Sequence, residues 1–169
     1  MNLSELKKHY SVVIVGSGLA GLYGALNFPE DIDILMLSKK ERHQSNSSLA
    51  QGGVACVLDL ENDSYDLHIE DTLIAGSRVN DVDAVTQLVE EGPGDVLRTI
   101  DYGVEYDRDE KGELIKTLEG GHCRRRILHH KDTSGKEMVD KLVLAVEKLP
   151  NVTLSDETMV TSMSRIKNG

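Results

Sequence analysis

Three glycines at fixed spacing, Gly16, Gly18 and Gly21, directly follow the β-branched run Val12–Val15. In such a turn the first glycine permits the tight turn off a strand and the second lets the backbone approach a pyrophosphate. The third permits close packing of the following helix on the strand. That helix would offer its free N–H groups and positive dipole end to phosphate charge. A bare glycine triplet is weak evidence, but its position between a strand and a helix predicts a dinucleotide site.

The end of the second predicted strand, Asp33–Leu37, departs from the usual pattern of such sites. An acidic residue is expected there, about 20 residues beyond the glycines, yet the chain has Ser38 followed by Lys39 and Lys40. Three interpretations stay open on spacing alone. The lysines could meet the 2′-phosphate of NADP, a flavin site could use hydroxyl and ammonium groups instead of a carboxylate, or this strand could simply end in solvated basic residues.

A polar loop, His43–Gly53, follows the second predicted strand. It contains Ser45–Ser48, with hydroxyl and amide side chains, and then the sequence Ala-Gln-Gly-Gly at Ala50–Gly53. Such a loop could hydrogen-bond phosphates, ribitol hydroxyls or the edge of a flavin ring. On composition alone, a generic surface loop is an equally good interpretation.

A second cluster of reactive side chains runs from Glu119 to His130. Glu119 precedes two glycines, and its carboxylate could accept hydrogen bonds from a substrate ammonium group. The arginines at 124–126 could bind carboxylates bidentately. Spacing alone favours a mobile polar loop with solvated charges. The histidines form no HxxxH or HExxH pattern, so no metal site is expected.

The composition of the 169-residue chain, with 39% apolar and 28% charged residues, predicts one soluble globular domain. Its 19 basic and 29 acidic residues give a net charge of −10, which argues against a nucleic-acid partner. No signal peptide or membrane segment is evident. Cys56 and Cys123 form no CxxC pair or zinc spacing, so a cytoplasmic location is expected.

The order of the predicted elements favours an α/β fold, a Rossmann-like domain with a parallel sheet. Strand, helix and strand alternate within the first forty residues. Further predicted elements are helices at Asp66–Gly76 and Asp81–Glu91, a break at Gly92–Gly94 before a short helix at Val96–Ile100, a hairpin within Val104–Thr117, a helix from Ser134, and strands at Val152–Leu154 and Met159–Ser164.

Three segments together resemble the succinate dehydrogenase/fumarate reductase flavoprotein family, and within it the L-aspartate oxidase branch. They are Val12–Gly21, Ser48–Ala55 and Glu119–His129, and His68–Gly76 is a fourth similar stretch. The resemblance covers nearly the whole chain. Its second and third segments are more specific than the glycine triplet.

The resemblance implies FAD as a non-covalent cofactor. Ser17–Ala20 would contact its pyrophosphate, Lys39 would lie near the adenosine, and Asn46–Gly53 would run along the flavin. Covalent members attach FAD to a histidine five residues before the glutamine of the AQGG motif, where this chain has Asn46. The full set of expected cofactor-binding residues is Gly16, Ser17, Gly18, Leu19, Ala20, Gly21, Ser38, Lys39, Asn46, Ser47, Ser48, Leu49, Ala50, Gln51, Gly52 and Gly53.

The resemblance also implies an activity, the oxidation of L-aspartate to iminoaspartate in de novo NAD biosynthesis. Oxygen or fumarate would be the electron acceptor, quinolinate synthase would be a partner, and Glu119 would bind the substrate ammonium. Residues 1–169 would be the N-terminal part of the FAD-binding domain, without the capping and C-terminal helical domains and without catalytic residues. We therefore expect this polypeptide alone to be inactive.

Three alternatives to that activity are a fumarate reductase or succinate dehydrogenase-type flavoprotein, an NADP-binding reductase fragment and a non-catalytic interaction fragment. Asn46 counts against the covalent forms of the first alternative. The second leaves the AQGG and Glu119–His122 segments unexplained.

Overall fold

The computed structural model describes residues 6–165, which form two compact units. The first unit contains the chain up to Leu49 and again from Met138, and the second contains Ala50–Glu137. In chain order the elements are β1 (Val12–Val15), α1 (Leu19–Leu26), β2 (Ile34–Leu37), β3 (Val54–Ala55), α2 (Tyr65–Ala75), α3 (Val82–Asp101), β4 (Ile127–Leu128), α4 (Ser134–Val146) and β5 (Val152–Ser155), with a 3-10 turn at Ser47–Leu49.

The first unit is built on a three-stranded parallel sheet in the order β1-β2-β5. Val12 is paired with Ile34, and Ile34 is paired with Val152. Because α1 connects two neighbouring parallel strands, the predicted strand-helix-strand unit and the parallel sheet are confirmed. The strands end together, so Gly16 after β1 and Ser38 after β2 lie at the same edge of the sheet.

The core of the first unit centres on β2, whose residues Ile34, Leu35 and Met36 are buried. Strand β1 is less buried than its run of β-branched residues suggests. Val13 and Val15 are exposed on one face, and β1 is an edge strand within the described part of the chain. The β-branched run therefore reflects the β propensity of its residues, with only one face of the strand partly covered.

The second unit combines a helix pair with a short antiparallel pair of strands. Helices α2 and α3 pack against each other, and β3 is paired with β4. The side chain of Ser64 caps α2 by accepting from the Leu67 N–H, and that of Asp81 caps α3 by accepting from the Ala84 N–H. Both caps satisfy amide groups that a helix leaves free at its start.

The predicted break at Gly92–Gly94 is wrong, since α3 continues through it from Val82 to Asp101. Proline inside a helix removes a hydrogen bond, and glycine weakens the helix. One buried stripe nevertheless runs along the whole element. It consists of Val85, Val89, Pro93, Val96 and Thr99. This spacing keeps the stripe on one face, so burial maintains the helix where local propensity predicts an end.

Of two predictions for the later part of the chain, one is confirmed and one is wrong. The hairpin around residue 112 is confirmed as a tight turn, in which Arg108 and Leu114 form one antiparallel bridge. The strand predicted at Met159–Ser164 is wrong, because this exposed segment has no strand pairing in the structure. Among the described residues, no helix is both long and apolar enough to cross a membrane.

Candidate functional site

The first unit contains a cavity of about 640 Å³ at the edge of the sheet where β1 and β2 end. One wall is the turn between β1 and α1, and the other is the loop after β2. We call this second wall, residues 38–49, the cavity loop. The lining residues are Gly16, Ser17, Gly18, Ser38, Lys39, Lys40, Gln44, Ser45, Asn46, Ser47, Ser48 and Leu49.

The turn from β1 into α1 is tightly packed. The Gly16 N–H donates to the Leu37 carbonyl at 2.8 Å, which fixes the turn to β2. A Cβ on Gly21 would lie 2.2 Å from the Gly16 carbonyl oxygen, far inside van der Waals contact. Glycine is therefore required at position 21 for α1 to start this close to the strand, as the spacing of the motif predicts.

Two serine hydroxyls join the cavity loop to the glycine turn. The Oγ atoms of Ser17 and Ser38 are 2.9 Å apart, and both side chains are buried. Farther along the loop, the Ser47 Oγ accepts a hydrogen bond from the Leu19 N–H at 3.1 Å. Ser38 thus contacts Ser17 at the point where the usual pattern has a carboxylate.

The chemistry of the cavity suits a phosphate-bearing ligand. Its lining contains two cations, Lys39 and Lys40, together with hydroxyl and amide groups, and includes no carboxylate. A Cβ on Gly18 would lie only 3.2 Å from the Ser47 Oγ, so the glycine keeps the space between the two walls open. The volume falls within the range of about 300–1,000 Å³ that is typical of small-molecule sites. These residues fit the pyrophosphate and adenosine side of FAD.

The cavity contains nine of the sixteen residues expected to bind the cofactor, together with three that were not expected, Lys40, Gln44 and Ser45. For Gln44 and Ser45 the available signal was their position inside the polar loop, and for Lys40 it was the basic pair at the end of the second strand. Leu19, Ala20 and Gly21 do not line the cavity, although Leu19 contacts the loop. Ala50–Gly53 belong to the second unit.

Within the second unit, Glu119 lies next to the AQGG segment. Glu119 is exposed at the start of a turn in which the His122 N–H donates to its carbonyl at 3.2 Å. A Cβ on Gly52 would be 3.8 Å from the Glu119 Oε2. A Cβ on Gly53 would be 2.3 Å from the Leu128 carbonyl oxygen, so packing of β3 against β4 explains that glycine.

Arg126 anchors the chain that follows Glu119. Its Nε and Nη2 donate to the two carboxylate oxygens of Asp63 at 2.8 and 2.7 Å, and its Nη1 donates to Asp71 at 2.6 Å. The Arg126 side chain is 1% exposed. The expectation of solvated charges is therefore wrong at Arg126, because its bidentate partner is a carboxylate of the chain itself.

The electrostatics of this cluster fix its protonation at neutral pH. Burial pushes the pKa of Asp63 upward, but the hydrogen bonds from Arg126 and the Ser64 N–H outweigh this effect and hold it below its ordinary value. The hydrogen bonds from Arg126 to Asp63 raise the pKa of Arg126. Burial, followed by the charge of Arg126, lowers the pKa of nearby His68 to about 4. A neutral imidazole thus lies beside an ionised pair.

His68 and His122 are neighbours in the same cluster, with ring centroids 5.5 Å apart. The His122 Nδ1 is 3.2 Å from the Arg126 Nη1 and accepts its hydrogen bond. The Cys123 N–H donates to Asp71 at 2.8 Å. His122 and Cys123 are therefore held by Arg126 and Asp71, the charged residues of this cluster. Glu119 begins the turn that these two residues end.

Comparison with known proteins agrees with this geometry. The family model described as FAD binding domain matches residues 11–169. An L-aspartate oxidase of Clostridium perfringens is 43% identical over 152 residues, which cover 90% of this chain and 34% of that protein. An L-aspartate oxidase of Acinetobacter baylyi is 44% identical over 146 residues, covering 86% of this chain and 27% of that protein. The chain thus spans about a third or less of the length of these relatives.

Solved structures show the same fold. The FrdA chain of a mutant E. coli quinol fumarate reductase superposes with a TM-score of 0.84 at 26% identity, covering 88% of this chain and 26% of that one. Mycobacterium smegmatis Sdh1 in the apo form gives a TM-score of 0.82 at 25% identity, covering 90% of this chain and 28% of that one. The glycine turn, the polar cavity and these similarities agree, and the chain belongs to the FAD binding domain family, with FAD as its cofactor.

Proposed function

We propose that this chain is the FAD-binding part of an L-aspartate oxidase, which oxidises L-aspartate to iminoaspartate. The observation that carries the proposal is the pairing of a phosphate-compatible cavity with 43% identity to an L-aspartate oxidase over 152 residues. FAD supplies the redox chemistry when bound, and the protein supplies binding and orientation.

Different residues of the cavity would bind different parts of the cofactor. The glycine turn at the α1 N-terminus would bind the pyrophosphate, Lys39 would lie near the adenosine, and the hydroxyl and amide groups of the cavity loop would bind other parts of the cofactor. Asn46 has no nucleophile that could form a bond to the flavin, which supports non-covalent binding. Acid precipitation should then release all the flavin into solution.

Glu119 would bind the substrate. Its carboxylate is exposed beside Gly52, on a turn held in place through Arg126, and a fixed carboxylate suits an amino-acid ammonium group. Oxygen or fumarate would accept the electrons, and quinolinate synthase would consume the product. Both cysteines are free, which supports a cytoplasmic location.

The test uses the protein that carries this chain, purified with its flavin from its own cells. We expect L-aspartate-dependent formation of peroxide or reduction of fumarate. Replacing Glu119→Gln should raise KM for L-aspartate at least about tenfold, since a charge-assisted hydrogen bond is worth about 1.5–3 kcal/mol. The control Glu110→Gln removes an exposed carboxylate elsewhere in the same unit and should leave KM unchanged. Absence of turnover with L-aspartate would contradict the proposal.

A dicarboxylate reductase or dehydrogenase is the second candidate, favoured by the structural similarity to the E. coli fumarate reductase chain. The two candidates differ in the amino group of the substrate. Oxidation of succinate or reduction of fumarate without any oxidation of L-aspartate would favour this second function. The 169-residue chain assayed alone should bind FAD without turnover.

A further inference from the structure

We propose that Arg42 is a positioning residue for the cofactor, acting through the cavity loop rather than by touching FAD. Arg42 is not among the residues that line the cavity, yet it lies in the middle of the loop that forms its second wall. The inference rests on FAD binding in this cavity, as described above. The inference concerns the residues that hold the cavity loop in place.

The Arg42 guanidinium is held by two carboxylates from another part of the first unit. Its Nε donates to the Asp156 Oδ2 at 2.8 Å, and its Nη1 donates to the Glu147 Oε1 at 3.1 Å. Only 25% of the Arg42 side chain is exposed. A planar guanidinium can satisfy two carboxylates at once, which a flexible lysine ammonium does less well.

The two ends of the cavity loop are fixed in other ways. At its start, the Ser38 carbonyl accepts from the Thr158 N–H at 2.8 Å, in addition to the contact with Ser17. Near its end, Ser47 accepts from the Leu19 N–H. Residues 39–46 span the distance between these points and include both cavity lysines.

Within this span the Lys40 carbonyl accepts a long hydrogen bond from the Glu157 N–H at 3.4 Å, and the side chains of Arg42 and His43 supply further ties. The His43 Nδ1 lies 2.8 Å from the Asp140 Oδ1, so two successive side chains tie the middle of the loop to α4 and to the segment after β5. Without these ties, the span would gain conformational freedom that ligand binding must remove again. The entropic cost of ordering the span again weakens ligand binding, even though no ligand contact is deleted.

A direct electrostatic role for Arg42 makes a different prediction. If its positive charge attracted the phosphates from a distance, neutralising Asp156 would leave that charge less compensated and would tighten binding. If Arg42 positions the loop, the same change removes one anchor and weakens binding. Asp156→Asn therefore separates the two explanations by the sign of the effect.

The experiment measures Kd for FAD and for ADP by isothermal titration calorimetry on the 169-residue chain. ADP carries the phosphates and adenosine without the flavin. We expect Asp156→Asn to raise both Kd values about tenfold, which corresponds to a loss of about 1.4 kcal/mol of binding free energy. The loss arises because the ligand must order a looser loop. Glu147→Gln should raise them less, because its hydrogen bond is longer. Arg42→Lys should also raise both Kd values, because a lysine ammonium replaces the guanidinium contacts only in part.

The matched control is Lys7→Gln, which breaks an exposed ion pair with Asp33 at 2.8 Å. Asp33 precedes β2, whereas the cavity lies beyond its other end, so both Kd values should stay unchanged. Far-ultraviolet circular dichroism at the titration temperature establishes that each variant is folded. A variant that only lowers stability would keep the wild-type Kd under these conditions.

Each outcome decides the question. Weaker binding in Asp156→Asn supports the positioning role, and the size of the loss in Glu147→Gln gives the share of the second anchor. Unchanged or tighter binding in Asp156→Asn overturns the positioning role, and FAD binding by the wild type would still support the cofactor site. Failure of the wild-type chain to bind either FAD or ADP would overturn the positioning role and the proposed cofactor site together.

Discussion

Arg126 and Asp63 form a planar, two-hydrogen-bond ion pair inside the second unit, with N···O distances of 2.8 and 2.7 Å. Their side chains are only 1% and 4% exposed, so water compensates neither charge. The pair joins the residue directly before β4 to the segment before α2. Because Arg126 also contacts Asp71 and His122, the turn that begins at Glu119 depends on this buried pair.

The first prediction concerns the stability that this pair provides. Asp63→Asn should lower the free energy of unfolding by about 3 kcal/mol, since it removes the bidentate partner of buried Arg126 and leaves Asp71 as the one carboxylate that the described contacts give this guanidinium. Urea denaturation of the 169-residue chain measures the change. The control Glu70→Gln disturbs an exposed ion pair with Arg78 and should cost less than about 1 kcal/mol. Equal losses in the two variants would contradict the account.

The second prediction is a pH dependence that arises from His68. Its pKa is lowered from 6.5 to about 4, so the unfolded state binds more protons between these values. Stability should therefore fall as the pH drops from 6.5 to 4, by an amount of about 3 kcal/mol. Unfolding curves across this range measure the slope. His68→Gln should flatten it, whereas exposed His9→Gln should not, and an unchanged slope in His68→Gln would refute the role of His68.

A third prediction compares two glycines of α1. Gly21→Ala places a Cβ 2.2 Å from the Gly16 carbonyl oxygen and must push the helix away from the turn, so both stability and ADP affinity should fall. Gly24→Ala meets no atom within 4 Å and should stabilise the helix by up to about 1 kcal/mol. Thermal unfolding and ADP titration of both variants provide the comparison. A Gly21→Ala variant with wild-type properties would show that the turn is looser than described.

The two thiols should differ sharply in reactivity. Cys56 is buried, and burial raises its pKa to about 11, whereas Cys123 is exposed. Because the thiolate is the reactive form, Ellman's reagent at pH 8 should modify one thiol quickly and the second only after denaturation. Cys123→Ser should abolish the fast phase. A fast phase that persists in this variant would place Cys56 at the surface.

The parallel sheet and the glycine turn could be predicted because both depend on local patterns. Val12–Val15 followed by glycines at fixed spacing specifies a strand and a tight turn with few alternatives. The contact between Ser17 and Ser38 was not predictable in this way. It joins residues 21 positions apart, and nothing in their types distinguishes a mutual contact from two separate ligand contacts.

The continuity of α3 and the burial of Arg126 show why other predictions failed. Gly92–Gly94 reads as a helix end when only neighbouring residues are considered, but burial of Pro93 on a continuous stripe decides the outcome. Arg126 lies in a run of three arginines that favours solvated charge. Only the fold brings Asp63 and Asp71 to it, from 63 and 55 positions away.

Binding of FAD to the 169-residue chain, in competition with NADPH, tests the central claim most directly. Equilibrium titration should give one FAD per chain, and excess NADPH should fail to displace it, because the cavity with Lys39 and Lys40 is part of an FAD binding domain. Displacement by NADPH at comparable concentration would instead assign the lysines to a 2′-phosphate. That result, or the absence of FAD binding, would contradict the account.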